Sequence, residues 1–315
     1  MSKNSHPSTD PGNGHADDVS PAAAWSPFQR GGAVGHGRRH GEATPGNDEV
    51  QEPSRPGRVV LVGAGPGDVE LLTCKAARLI AEADWLIHDA LVQPKVLALA
   101  RRARLIPVGK RAGNPSARQS TINQLLLDCA ARGGLTVRLK GGDPLIFARA
   151  REELDTLHAA GIPVEVVPGI STAQAAHAAL AMPMTERGLR RALVLATPQL
   201  QVAGNGPKAV VTEVTAHSSA PHAWAKAVVA AGSGTLYMAS TIADQVRGIL
   251  LAHGMPACTP ALWLIDVSLP SQRVLQTTLG ELCPPPETYK GRPALLILGV
   301  EPAAPVDPEP TSGQP

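Results

Sequence analysis

Three glycine-containing turns, each closing a short apolar run, carry the residues with the most chemical content. Arg58–Gly63 (RVVLVG) runs into AGPGD, Leu135–Leu139 (LTVRL) runs into KGGDP, and Val166–Ser171 reads VVPGIS in one-letter code from Val166. Glycine permits backbone angles and close approaches that a side chain forbids. Turns of this kind at strand ends press main chain against a flat, extended ligand. The first turn is not a dinucleotide fingerprint. Its glycines, Gly63, Gly65 and Gly67, are spaced G-x-G-x-G, one residue short of G-x-G-x-x-G, and Pro66 removes an amide donor. A phosphate cradle needs free N–H groups, so the ligand favoured here is a nucleoside without phosphates.

Two further residues stand at the ends of predicted strands. Asp89 closes the apolar run WLIH, and Lys110 follows in VGKRAG. Taken alone, Asp89 reads as a turn or cap residue, and Lys110 as an exposed surface lysine. A lysine doing acid–base work needs its pKa lowered by burial or by a cationic neighbour, for which Arg111 is the candidate. Arginines cluster at Arg101, Arg102, Arg104 and Arg111, and again at Arg187, Arg190 and Arg191. They read either as a solvated basic face or as a landing surface for a polyanionic substrate.

The elements that must hold these residues alternate in type. After RVVLVG, Asp68 is placed to cap a helix whose apolar positions Leu72, Ala76, Leu79, Ile80 and Ala83 recur at helical spacing. Strands are expected at Trp85–His88 and near Leu105–Val108. A second helix carries Ile122, Leu125, Leu126 and Cys129 on one face and stops at Gly133–Gly134. Strand LTVRL, a helix over Glu152–Ala160, strand VEVV and an alanine-rich helix over Thr172–Ala181 complete the half. Beyond a breaker-rich stretch come helices at Ala220–Ala231 and Ile242–His253. The strands of that half are expected at Thr235–Ala239, Ala261–Val267, Arg273–Leu279 and Ala294–Leu298.

This pattern predicts an α/β protein of two α/β domains with the ligand in the cleft between them. The first sheet is expected to be parallel and the second mixed. Residues 58–185 form the first domain, 186–207 the linker region and 208–301 the second domain. Residues 1–57 and 302–315 are too poor in apolar groups to offset their ordering entropy and are expected to be disordered.

Composition bounds the function. The 315 residues include 43% hydrophobic residues, enough for two cores, and the net charge of +2 gives no bulk argument for nucleic acid or a membrane as partner. Cys74, Cys129, Cys258 and Cys283 form no CxxC pair, and the histidines of the first 57 residues are irregularly spaced. Buried unpaired thiols and no metal site are expected. No apolar stretch reaches the length of a membrane span and no signal-peptide core stands at the N-terminus, so the expected location is the cytoplasm.

The motifs, in order, resemble a known family. VGAGPGDVELLTCKAARLIAEAD, Asp89-Ala-Leu-Val, VGKRAG, VRLKGGDPLIF, VPGIS, LYMAS and the run from HGMPAC to LGEL are similar to the tetrapyrrole methylases, and most of all to the uroporphyrinogen-III C-methyltransferase branch. The resemblance implies S-adenosyl-L-methionine as cofactor, S-adenosyl-L-homocysteine as its product, a tetrapyrrole substrate and a homodimer. It implies cofactor contacts at Pro66, Gly141, Gly142, Asp143, Ile146, Ser171, Thr172, Met238 and Val267. It implies a catalytic base at Asp89, a proton donor at Lys110, and substrate clamps at Arg111, Arg149 and Arg187. The implied reaction is two successive ring methylations of uroporphyrinogen III to precorrin-2, serving sirohaem or cobalamin biosynthesis. A later precorrin methylase, a ribosomal-RNA ribose methylase or a non-catalytic cofactor-binding homologue are the alternatives. Near-neutral charge disfavours RNA, and retention of Asp89, Lys110 and Arg149 disfavours a non-catalytic protein.

Several motifs depart from the family pattern. Phe147-Ala148-Arg149-Ala150-Arg151-Glu152-Glu153 stands where F-G-R-G-G-E-E is usual, Met184-Thr185-Glu186-Arg187 where Leu-Thr-His-Arg is usual, and Ile265-Asp266-Val267-Ser268 where Glu-Asn-Gly-Thr is usual. His88 replaces a Tyr before the aspartate.

Overall fold

A computed structural model describes residues 57–109, 119–198 and 222–301. Residues 1–56 and 302–315 of the expected disordered termini, and Lys110 and Arg111, lie outside the described residues; Gly57 is ordered against the first half, its amide donating to the Ala130 carbonyl at 2.8 Å. The first half is a parallel sheet of β1 (Arg58–Gly63), β2 (Trp85–His88), β3 (Arg104–Pro107), β4 (Leu135–Lys140) and β5 (Val164–Val167), in the order β3-β2-β4-β1-β5. Helices α1 (Cys74–Glu82), α2 (Pro94–Leu97), α3 (Gln119–Ala131), α4 (Ala150–Ala159) and α5 (Thr172–Ala179) follow the strands.

The apolar spacing read along α1 is the face it buries: Ala76, Leu79 and Ile80 are buried, and Ala83 is buried just past its end. Burial of a Leu or Ile side chain contributes roughly 1.5–3 kcal/mol. The cap differs from expectation. Asp68 caps a single 3-10 turn at Val69–Leu71, and Thr73 caps the helix by accepting from the Ala76 amide at 3.1 Å. Leu72 ends that turn in extended backbone, which breaks the helix the spacing would otherwise continue.

The second half is a mixed sheet, order β6-β7-β10-β8-β9, of β6 (Leu195–Ala196), β7 (Gly234–Tyr237), β8 (Pro260–Ile265), β9 (Arg273–Thr278) and β10 (Ala294–Leu298). Helices α6 (Ala223–Ala231) and α7 (Ala243–Ala252) cover one face. The stretch expected as linker therefore contributes an edge strand, with Leu195 and Ala196 paired in parallel to Thr235 and Leu236. Two residues give no readable period, which is why this strand escaped the sequence. Helix α5 joins the halves: its Ala173, Ala175 and Ala176 pack with Leu262, Leu264, Leu295 and Ile297 of the second sheet. Alanine is small enough to let the helix lie close on that face.

All four cysteines are unpaired, but only Cys129 is buried; Cys74, Cys258 and Cys283 are exposed, contrary to the expectation of buried thiols. Burial pushes the Cys129 thiol up.

The glycine turns meet in one knot. Gly65 and Gly142 exchange amide hydrogen bonds, the Gly142 amide donating at 2.7 Å and the Gly65 amide at 3.2 Å. A Cβ on Gly63 would stand 2.6 Å from Cα of Gly169 and 2.7 Å from the Gly142 carbonyl, both backbone atoms that cannot rotate away. Gly63→Ala is accordingly expected to destabilise the fold by about 2 kcal/mol, read as a lower midpoint in thermal or urea unfolding. An unchanged midpoint would mean the three turns are not held in contact.

Candidate functional site

A cleft of about 460 Å³ opens where the first sheet's strand ends face the second sheet. Its first wall is backbone. Gly65 and Pro66 follow β1, and Gly141, Gly142, Asp143 and Ile146 follow β4. Gly142 has a φ of +65°, which glycine alone takes without strain. Gly141 does not, and among the described residues a Cβ there would meet only Leu91, at 3.9 Å. That position faces open space in the cleft.

Asp143 works inside the wall. Its carboxylate accepts from the Leu145 amide at 2.8 Å and from the Gly169 amide at 3.0 Å, stitching the second glycine turn to the third. Ser171 likewise serves the frame: it forms a capping box with Gln174 at the start of α5. Thr172 is the next residue and also lines the cleft.

The second wall comes from β7, β8 and β10. Tyr237 and Met238 end β7, and Leu264 and Asp266–Val267 lie at the end of β8. Met238 is 43% exposed with a φ of +56°, so it is not the core residue its apolar strand would suggest. The Tyr237 hydroxyl accepts from the Ala173 amide at 3.2 Å, and burial raises its pKa, keeping it a neutral phenol. Its ring stacks obliquely on Phe147, centroids 5.1 Å apart, so the two walls touch. A second tie is the Asp68 amide donating to the Ser268 hydroxyl at 3.0 Å.

All nine positions expected to touch the cofactor thus line this cleft, and so does Asp89. Asp89 sits at the end of β2, where its Oδ1 accepts from Arg138 Nη2 at 2.6 Å. Its side chain is 35% exposed. Of the expected clamps, Arg149 is exposed and bidentate to Glu152 at 2.8 Å, and Arg187 is exposed in the turn between Glu186 and Arg190; neither is among the lining residues. Lys110 and Arg111 lie outside the described residues, although Gly109, just before them, packs against Ala90.

The departures from the family pattern are absorbed locally. Positive φ in the Phe147–Glu153 loop falls on Phe147 and Arg149, while Ala148 and Ala150 sit in ordinary backbone. In the β8 turn it falls on Asp266 and Ser268, with Val267 spared. Asp266 is held there by Arg292, whose Nε donates to it at 2.8 Å.

Tyr237, Leu264 and Arg292 in the second wall, and the charges behind Asp89, carry no local signal in the sequence. Arg138 and Lys140 are 2% and 1% exposed, and Glu153 is fully buried. Burial and the neighbouring Arg138 push the Lys140 ammonium down, while Glu153 draws it back up. Among the described residues, no group of three His, Cys, Asp or Glu is placed to hold a metal, and no helix is long and apolar enough to cross a membrane.

The profile described as Tetrapyrrole (Corrin/Porphyrin) Methylases matches residues 58–283 of this chain. The chain belongs to the tetrapyrrole methylase family. It is 40% identical over 251 residues to siroheme synthase 2 of Serratia proteamaculans, covering 79% of this chain and 50% of that one. It is also 40% identical over 257 residues to the siroheme synthase of Methylococcus capsulatus, with 80% and 51% covered. The chain thus spans about half the length of these curated relatives. Among solved structures, the uroporphyrin-III C-methyl transferase from Thermus thermophilus, complexed with S-adenyl homocysteine, superposes with a TM-score of 0.62 at 34% identity, covering 77% of this chain and 97% of that one. A cobalt precorrin-4 methyltransferase shares the fold, with a TM-score of 0.61 at 22% identity over 77% of this chain and 94% of that one.

Proposed function

We propose that this chain is an S-adenosylmethionine-dependent C-methyltransferase that methylates uroporphyrinogen III twice, giving precorrin-2. The observation that carries the reading is the convergence of Asp89 and all nine expected cofactor positions on one cleft. The cleft's volume is in the range of small-molecule sites. Its first wall, bare of side chain at Gly141, leaves room for a flat adenosyl group.

When bound, S-adenosylmethionine supplies an electrophilic methyl group on a sulfonium centre. The protein's own work is then largely orientation. The backbone of the Gly65–Pro66 and Gly141–Gly142 turns forms one face, fixed by the Asp143 stitch, and Met238 and Val267 form the other. Asp89 takes up the proton lost from the methylated ring. Its Oδ1 is engaged by Arg138, so Oδ2 is the accepting atom. Arg149 and Arg187, both exposed, meet the carboxylates of the tetrapyrrole beyond the cleft, Arg149 by exchanging its exposed ion pair with Glu152 for a substrate carboxylate.

The test is turnover with uroporphyrinogen III under reducing conditions, followed by the absorbance of the oxidised dimethylated product, beside parallel reactions on already methylated rings. Turnover on uroporphyrinogen III supports the reading. Turnover confined to a methylated ring would reassign the substrate within the family.

A further inference from the structure

Behind Asp89 lies a chain of charge that orientation of the cofactor does not use. Arg138 extends from β4 across to β2, where its register partner is Ile87, two residues before Asp89. It donates from Nη2 to Asp89 at 2.6 Å, from Nε to Glu153 Oε1 at 3.1 Å, and from Nη1 to the Leu139 carbonyl at 3.2 Å. Glu153 in turn takes Lys140 Nζ at 2.8 Å and Gln119 Nε2 at 3.4 Å. We propose that Arg138 is a positioning residue for Asp89, fixing the direction of the carboxylate in the cleft, with Glu153 as the anchor that fixes Arg138.

Three physical points support this, and all rest on the reading of Asp89 as the proton acceptor. A guanidinium is a planar fork able to bridge two carboxylates at once, which an ammonium cannot do at fixed geometry. The centre and the inner end of this bridge are held in the interior: Arg138 and Glu153 are buried, and Asp89 is the member that reaches solvent. Buried ion pairs are also a poor source of stability, since apolar residues of similar volume do as well or better. A structural tie between α4 and β4 would not need three buried charges, nor would it need to end on the cleft carboxylate. A preorganised carboxylate, in contrast, avoids reorientation during the reaction.

The experiment is a double-mutant cycle on the full chain, with Arg138→Lys, Arg138→Met, Asp89→Asn and both Arg138 changes on the Asp89→Asn background. Arg138→Lys is expected to lower kcat about tenfold or more, with KM for uroporphyrinogen III and affinity for S-adenosylhomocysteine within about twofold of wild type. On the Asp89→Asn background the same change should cost nothing further, because the group it positions is gone. Arg138→Lys keeps the buried charge and carries the test alone should Arg138→Met not fold. A kcat for Arg138→Lys near wild type, or a loss that multiplies on the Asp89→Asn background, would overturn the inference while leaving the base assignment intact. Wild-type turnover in Asp89→Asn itself would instead remove the reading on which it rests.

Discussion

Asp89→Asn is expected to lower turnover about 10²-fold or more while affinity for S-adenosylhomocysteine stays close to wild type. Asn keeps the size of the side chain and can still accept from Arg138, but its amide nitrogen replaces the oxygen that would take the proton. The carboxylate is in the cleft, at the carboxyl end of β2, where open α/β sheets place ligands. Among the described residues the carboxylate is bound by Arg138, whereas the cofactor wall is built by Asp143 and the glycine turns. The kinetic signature is therefore a fall in kcat without a matching change in cofactor binding. Turnover near wild type would return Asp89 to the role of a turn residue and send the search for the base elsewhere.

The second large effect belongs to the cofactor wall. Gly141→Val puts a branched side chain into the cleft from a position whose backbone accepts any residue and where, among the described residues, a Cβ meets nothing nearer than Leu91, at 3.9 Å. The fold should be untouched, and the midpoint of thermal unfolding should confirm it. Affinity for S-adenosylhomocysteine should fall roughly 10- to 100-fold, the equivalent of about 1–3 kcal/mol of overpacking. Calorimetric titration measures this directly, and unchanged affinity would place the cofactor elsewhere. Gly142→Val is a poorer probe of the same wall. Its φ of +65° strains any branched residue, so lost binding there would mix with lost structure.

Local signals carried much of this site, because the turns that make its first wall are built from glycine, proline and aspartate at strand ends. Trp85–His88 and Val164–Val167 are strands with the bounds their apolar runs gave, and Asp89 falls where the first of them ends. The buried charges were hidden by a different physical fact. Leu135–Lys140 alternates, with Thr136, Arg138 and Lys140 on one face, a pattern that reads as half-solvated in an antiparallel sheet. In a parallel sheet covered by helices both faces are buried, and that polar face is closed by Glu153 from α4. Only the tertiary pairing of residues 13 and 15 apart in sequence makes the charges tolerable there. The second wall was obscure for a similar reason: Tyr237 is paired across to Leu295 by the antiparallel β7–β10 ladder, and Arg292 is held by Asp266 at the end of β8, pairings that no local period records.

The departures in the loops teach the same lesson in reverse. Loss of glycine at Ala148 and Ala150 reads as stiffening of the loop, yet the strained angles fall on Phe147 and Arg149. At the β8 turn, Val267 takes the place of glycine while Asp266 and Ser268 adopt positive φ, and the Asp266 side chain is fixed by Arg292 and by the Ser271 hydroxyl at 2.8 Å. Short polar side chains that bond locally tolerate that backbone best.

The most direct test of the whole account follows the methyl group. The full chain is incubated anaerobically with uroporphyrinogen III and S-adenosylmethionine carrying an isotopically labelled methyl, and the macrocycle is weighed by mass spectrometry after oxidation. The expected product carries label from two cofactor molecules, with a singly labelled species as precursor, and none forms with Asp89→Asn on the same timescale. Binding of S-adenosylhomocysteine with no label reaching uroporphyrinogen III would contradict it.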